Sequence, residues 1–396
     1  MASSNVLLTP TVIAKEVLMQ LTNSMAMSRH VHTAYKNEFV KVGQTITIRK
    51  PNKFRMTKQQ ARSNSNLAEP STSITVSTQG HVSWAFSSVE LTQTIEEYSK
   101  RYIAPAAGAI ANGVDADLCG LYTDIYNYCG TPGTTPKTFA ALGDGQQALD
   151  DEAVPSDRRV GILNPAANWA LADGLKGTFA EKVAKDIITK GFLGKIANLD
   201  LYMDQNVVRH TTGHFTAGAT PLVDGASQTG NTLLSKGWSG SNDLHKGDVF
   251  TVAGVYAVNP MSGASTGVLR RFTVTADIAD SGAAIDIPIS PSIVTSGAYQ
   301  TCSASPADSA PITLVGAEDT AYPQNLIYHP NAFALVTVPI EMPSGVWGAR
   351  ETDPEAGLSV RVVKQYDIDA DEEIIRVDIL YGVKTLYPEL AARLIG

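Results

Sequence analysis

The chain changes character twice, near residue 210 and again near 316, and this double change limits what it can fold into. Before 210, apolar residues recur at helical spacing between short apolar runs. From 210 to 316, Gly, Ser and Thr dominate, helical periodicity disappears, and strand patterns recur at 249–258, 268–275, 285–289 and 311–315. The stretch "HKGDVFTVAGVYAVNP" (245–260) sets the tone: a Lys246-Gly247-Asp248 turn, then Val249, Phe250, Val252, Val255 and Tyr256. After 316 the earlier mixture returns. A shift at both ends of one block predicts a self-contained β barrel or sandwich inserted into an α+β domain.

At 396 residues the chain has room for two or three domains. Charged residues make up 18%, below the usual value of about 25%, which favours loops, short strands and contact surface over long solvated helices. No apolar run approaches the roughly 18–20 residues needed to span a bilayer. The opening MASSNVLLTPTVIAKEV has no basic stretch ahead of an apolar core, so no signal peptide is expected. Cys119, Cys129 and Cys302 lack CxxC spacing and read as free thiols.

The net charge of −8 hides a polarity. Residues 1–64 carry ten basic side chains against Glu16 and Glu38, a balance of +8, while residues 316–396 carry thirteen acidic against six basic, a balance of −7. Such opposed ends can be plain solvated surface, or can steer self-association.

Along the chain, Val12, Ile13, Val17, Leu18, Leu21 and Met25 predict an amphipathic helix over 10–28, with Pro10 just inside its start. Residues 44–87 predict a long two-stranded hairpin. "TITIRKPNKFRM" is the outgoing arm, "SNSNLAEPSTS" a loose tip, and "ITVSTQGHVSWAF" the return. A lone hairpin is marginal in water and this one is poor in large apolar side chains, so it needs either its parent domain or a neighbouring copy to lie on.

"TIEE" (94–97) predicts a capping box. It opens a helix to about 129 through Ile110, Val114, Leu118, Leu121 and Ile125, with a kink at Pro105. Further helices are expected at 144–151, in "AANWALADGLKG" and in "AEKVAKDIITKG", and a short buried strand in "RRVGILNP". "NLIYHPNAFALVTVPI" (325–340) resumes regular structure, and "LSVRVVKQYDI" and "EIIRVDILYGV" form a closing hairpin about an acidic turn. In its last strand Ile375, Val377 and Ile379 alternate with Arg376 and Asp378, as a strand covered on one face would.

Motifs for chemistry are weak. Gly263-Ala264-Ser265-Thr266-Gly267 matches G-x-S-x-G, but a nucleophile elbow needs a buried strand before it and a helix after it, and neither pattern is there. Asp367, Asp369 and Asp371 have D-x-D-x-D spacing, yet Glu372 and Asp378 stand where an EF-hand wants Gly and Glu, so a polar turn is the reading. His210 and His214 flank Thr-Thr-Gly, poor helix material, with no third ligand nearby. No Walker A, G-x-G-x-x-G or CxxC is found. The basic "RKPNKFRM" could meet phosphates but has too little aromatic interleaving for base stacking, and protein contacts are preferred.

The order of these features, with "GLSVRVVKQYDIDADEEIIRVDILYGVKTLYPELAARLIG" (357–396), "NLIYHPNAFALVTVPIEMP" (325–343) and "NPAANWALADGL" (164–175), resembles the major capsid (coat) proteins of tailed bacteriophages, in the podophage group that carries an insertion domain. The resemblance implies an α+β, HK97-like fold: N-terminal arm 1–43, E-loop hairpin 44–87, peripheral domain with spine helix 88–139, axial domain 140–209 and 317–356, inserted β barrel 210–316, and strand hairpin 357–396. It implies an icosahedral shell of hexamers and pentamers around double-stranded DNA, with no enzyme activity and no cofactor. Implied partners are other copies of the chain, scaffolding protein, portal, DNA at the inner face and a decoration protein, with no membrane. Assembly would take place in the host bacterial cytoplasm, and the product would be the virion. Candidate inter-subunit contacts are Arg49, Lys50, Lys53 and Arg55 on the hairpin, with Glu351, Asp353, Glu355, Asp369 and Asp371 as acidic counterparts. Two rivals make different demands: a β-rich surface protein needs a secretion signal, and a serine hydrolase needs a reactive Ser265.

Overall fold

A computed structural model describes residues 10–33, 45–56, 58, 60, 69–87, 99–175, 194–215, 221–238, 242–280, 284–353 and 357–396. The expected capping box at 94–97, the helix at 180–191, residues 63–68 of the hairpin tip and Glu355 lie outside the described residues. The chain divides into two compact units. One holds Met1–Ile48, Ser71–Leu118 and Phe333–Lys384; the other holds Arg49–Pro70, Cys119–Ala332 and Thr385–Gly396.

The first unit is a five-stranded sheet with helices. Its long strand Glu372–Thr385 lies between Leu358–Asp367 and Thr78–Ser87, antiparallel to both, with Trp347–Asp353 beyond and Phe333–Thr337 on its other half. The predicted alternation holds: Val360 faces Ile379, Val362 faces Val377, and all four are fully buried. The N-terminal helix Pro10–Ser24 packs on Trp347–Asp353 and Leu358–Asp367 through Ile13, Val17 and Leu21, spaced four apart. Asp378, expected to point to solvent, is fully buried as well. It accepts from Arg361 (2.6 and 3.1 Å), Arg376 (2.7 Å) and Gln79 (3.2 Å), so the outer face of the sheet closes over a carboxylate. Burial works against its ionisation, but the bonds from Arg361 and Arg376 outweigh this and hold its pKa below the usual carboxylate value.

The long helix breaks where Pro105 predicted. One turn, Ser99–Ile103, is wound as a π-helix, and the α-helix Ala104–Gly120 begins one residue before Pro105. There the missing N–H has no helical partner to lose. Its far end falls short of the expected 129. A 3-10 turn, Leu121–Asp124, gives way to extended backbone at Ile125. Buried Asp115 accepts from the amides of Ala26 (2.7 Å) and Ser28 (2.9 Å) and from the Ser28 hydroxyl (2.6 Å), tying the end of the N-terminal helix to the long one.

The expected single hairpin over 44–87 is divided. Among the described residues, Thr45–Arg49 pairs with Ser71–Thr75, and Thr78–Ser87 pairs with Glu372–Thr385, from Thr78 opposite Tyr381 to Ser87 opposite Glu372. The outgoing arm has five residues of strand and cannot partner a return of more than fifteen. The same alternation that suits a hairpin also suits the long strand of the sheet.

Among the described residues, the second unit contains two large sheets and a two-stranded ribbon of Asn242–Leu244 with Ile278–Asp280. A mixed seven-stranded sheet runs Tyr128–Cys129, Ala391–Ile395, Ala321–Tyr328, Arg159–Leu163, Leu199–Met203, Lys195–Ile196, with Arg209–Thr211 also on Ala321–Tyr328. Arg159–Leu163 is buried at every position, as its apolar run predicted. The helices Phe139–Asp151 and Pro165–Leu175 pack on the sheet through Leu142, Leu149, Ala167 and Leu171. The first starts earlier than the expected 144, with Thr138 as its N-cap.

Residues 222–314 form the other sheet, in the order Ile312–Leu314, Val249–Val258, Ser265–Val274, Ala284–Ile293, Gly230–Lys236, Leu222–Val223. It closes on itself. Val223 N–H donates to Ala310 O (3.0 Å), Ser309 N–H to Val223 O (2.9 Å) and Ile312 N–H to Pro221 O (2.9 Å). Closure removes the exposed edges that make open sheets sticky. An apolar cluster fills the interior around Phe250 and Phe272, stacked at 5.6 Å, while the Trp238 indole donates to the buried Ser235 Oγ at 2.8 Å. The strand Val249–Val258 has the extent read from sequence, and its ladder slips between Thr251 and Tyr256, where Gly254 takes φ +80°. The barrel is narrower than 210–316, because Arg209–Thr211 pairs back with Ala321–Pro323 of the mixed sheet.

Candidate functional site

The two crossings between mixed sheet and barrel are zipped together. Thr212 Oγ1 donates to Ala317 O (2.5 Å) and accepts from Thr320 N–H (3.1 Å), and His214 Nδ1 lies 2.7 Å from Asp319. Beneath this neck lies a buried polar cluster. His210 Nδ1 is 2.9 Å from the Tyr122 hydroxyl and its Nε2 is 2.9 Å from Asp248 Oδ1. Asp248 Oδ2 accepts from the amides of His245 (2.8 Å) and Gly213 (3.2 Å). Arg393, fully buried on the last strand, donates to Ile125 O (2.7 Å), Gly247 O (2.6 Å) and Thr273 Oγ1 (2.9 Å), with Tyr122 5.5 Å from its guanidinium. Burial pushes the Tyr122 phenol above its usual pKa, with Arg393 pulling the other way.

Tyr–His–Asp connectivity invites a catalytic reading, but all three side chains are buried. What they join is structural: the Lys246-Gly247-Asp248 turn of the barrel, the entry strand and the C-terminal strand. A second bond of this kind is Arg270 to Glu152 at 2.6 Å, both nearly buried, with the guanidinium 4.5 Å over Tyr126. Burial acts against the charge on Arg270, and Glu152 overcomes it, raising its pKa. Of this cluster, only His210 and the Lys246-Gly247-Asp248 turn drew attention from sequence. The available hint was an arginine inside the short apolar run Ala391–Ile395.

The other sequence candidates separate cleanly. Ser265 begins a strand after a β turn in which Gly263 has φ +72°, and its Oγ accepts from Gly267 N–H, so the G-x-S-x-G match is a hairpin connection. His210 and His214 point to different partners, one buried and one exposed. Asp367, Asp369 and Asp371 form the expected polar turn: Asp367 accepts from Asp369 N–H (3.0 Å), and Asp371 accepts from the Tyr366 hydroxyl (2.5 Å). Cys119, Cys129 and Cys302 are buried, and burial pushes the Cys129 thiol up to about 12.

Each of the four basic hairpin residues has a neighbour in its own chain. Arg49 pairs with Glu69 (3.2 Å), and Lys50 lies 4.8 Å over the Tyr387 ring. Lys53 is 3.7 Å from Glu389, and Arg55 donates to Gln300 (2.8 Å). Between them Phe54 and Met56 stand 63% and 80% exposed. Of the acidic candidates, Glu351 and Asp353 lie on the outer strand Trp347–Asp353, opposite Val360 and Leu358, and Asp369 and Asp371 lie in the turn. Beside that turn a groove of about 440 Å³ is lined by Val363, Tyr366, Ile368, Ile374 and Arg376, with Ile368 82% exposed.

This combination of a hairpin, a long helix, a sheet closed by a strand hairpin, and a mixed sheet bearing a barrel is an HK97-like fold. A chain from Mycobacterium phage Che8 has it at a TM-score of 0.50 and 12% identity, over 93% of this chain and 90% of that one. The capsid of Ralstonia phage GP4 is similar at a TM-score of 0.45 and 11% identity, over 91% and 84%. The CUS-3 coat protein I-domain aligns over its whole length with 26% of this chain, at 26% identity and a TM-score of 0.20. No curated protein matches. Residues 232–396 match the family described as "P22 coat protein - gene protein 5". The protein is a major capsid protein of a tailed phage: a structural component of the virion that assembles with copies of itself into a shell.

Proposed function

We propose that the hairpin around residues 45–75 is the arm by which one subunit grips the next. The supporting observation is a match of opposites. The arm carries Arg49, Lys50, Lys53 and Arg55 around exposed Phe54 and Met56, and the Leu358–Thr385 hairpin carries Asp369 and Asp371 around exposed Ile368. Exposed ion pairs contribute only about 0–1 kcal/mol each, so apolar contact supplies the strength and charge sets register and rejects wrong neighbours. Glu351, Asp353 and Glu355 offer a second acidic stretch to the same arm.

On this reading 88–139 is the peripheral domain with its spine helix, 140–209 with 317–356 the axial domain, and the barrel an insertion into it. The shell encloses double-stranded DNA, met non-specifically at its inner face, and forms in the bacterial cytoplasm on a scaffolding protein around a portal. It performs no catalysis. Electron microscopy of the purified protein, alone and with its scaffolding partner, tests this: closed polyhedral shells are expected. A monomer that stays dispersed in both preparations, or turns over a fluorophosphonate at Ser265, overturns it.

A further inference from the structure

The barrel turn that carries Tyr299 and Gln300 touches the arm at a place the family reading does not account for. Asn52 Oδ1 accepts from the Tyr299 hydroxyl (3.3 Å), the Lys53 amide donates to the Tyr299 hydroxyl oxygen (3.3 Å), and Arg55 Nη1 donates to Gln300 Oε1 (2.8 Å). The Arg55 guanidinium also covers Gly263 in the neighbouring barrel turn, so closely that a Cβ there would lie 2.5 Å from Nη1. The backbone over 52–56 therefore divides its side chains between two directions. Asn52 and Arg55 go to the barrel, while Phe54 and Met56 go to solvent, with Met261 of the same barrel turn as Gly263 also 73% exposed.

We propose that the barrel is a docking post for the arm of its own subunit, holding Phe54 and Met56 outward as the surface a second copy grips. This rests on the arm's role proposed above and gives the insertion a task within it. A short extended segment loses about 1–2 kcal/mol of backbone freedom per residue when ordered, and a post that orders it beforehand removes that cost from the encounter between subunits. The clamp is light. Arg55 Nε and Nη2 are buried without a hydrogen-bond partner among the described residues, which leaves it reversible.

Trypsin supplies the test, because Lys53–Phe54 and Arg55–Met56 are cleavable bonds while Pro51 blocks the one after Lys50. On the free, full-length subunit, Tyr299→Phe removes the bonds to Asn52 and Lys53, and Gln300→Ala removes the bond from Arg55 along with the one Gln300 Nε2 donates to Cys302 O. Each is expected to speed cleavage at these two bonds between about threefold and tenfold, and to lower the yield of closed shells. Unchanged cleavage in both variants, or wild-type cleavage as fast as in an isolated 49–60 peptide, overturns the post. So does faster assembly in the variants, which would make the contact a restraint on the arm. Because cleavage is read on free subunits, it stands apart from the shell reading, which fails only if the wild type builds no shells.

Discussion

The barrel at 222–314 and the arm at 45–75 are both β structure rich in Thr and Ser, yet they solve the problem of stability in opposite ways. The barrel closes its sheet and fills the inside with Phe250, Phe272, Trp238 and a ring of Ile and Val, so it is satisfied by its own residues. The arm buries Ile48 and Ile74 on two strands of five residues each, and leaves Phe54 and Met56, beyond the first strand, outside. A short open ribbon has two edges and one thin face, so it depends on other surfaces. β propensity is common to both, and closure decides which one stands alone.

The barrel's self-sufficiency rests most heavily on its interior. Phe272→Ala removes a fully buried ring from a stacked pair and is expected to cost about 3–5 kcal/mol, read as a large loss in the denaturation midpoint. Arg393→Ala attacks the fastening instead. It leaves the carbonyls of Ile125 and Gly247 and the Thr273 hydroxyl without their donor, at about 3 kcal/mol, and is expected to split one melting transition into two.

Asp378 asks whether a sheet outside the barrel relies on a charge. Its folded pKa is depressed, so its contribution is complete above the unfolded carboxylate pKa and is lost as pH falls through the lower, folded value. Stability measured from pH 6 down to 2 should fall over that window, and Asp378→Asn should lower the plateau and flatten the fall. The smallest expected effect is Met56→Ser: under about 0.5 kcal/mol on the free subunit, with shell yield as the quantity that drops.

Much of the architecture was legible from local pattern. The N-terminal helix stripe, the break near Pro105, the buried strand after Arg159 and the strand at 249–258 all follow from periodicity or from a residue that permits few conformations. The arm's return strand was misassigned because alternation states that a segment is a strand and not which strand it joins. Of the candidate contacts, charge drew attention to Arg49, Lys50, Lys53 and Arg55, and the exposed apolar pair beside them carried no sequence signal, since an exposed Phe or Met reads like a core one.

By itself the sequence determined which segments are helical or extended and that a β module interrupts an α+β chain, because those properties are set by residues a few positions apart. Only the tertiary structure decided that the module closes into a barrel, that Arg393 and Asp378 are buried charges, and that the arm rests on Tyr299 and Gln300. Each of these joins residues far apart in the chain, from Asp378 with Gln79 to Arg55 with Gln300. Such contacts depend on geometry that no local preference encodes.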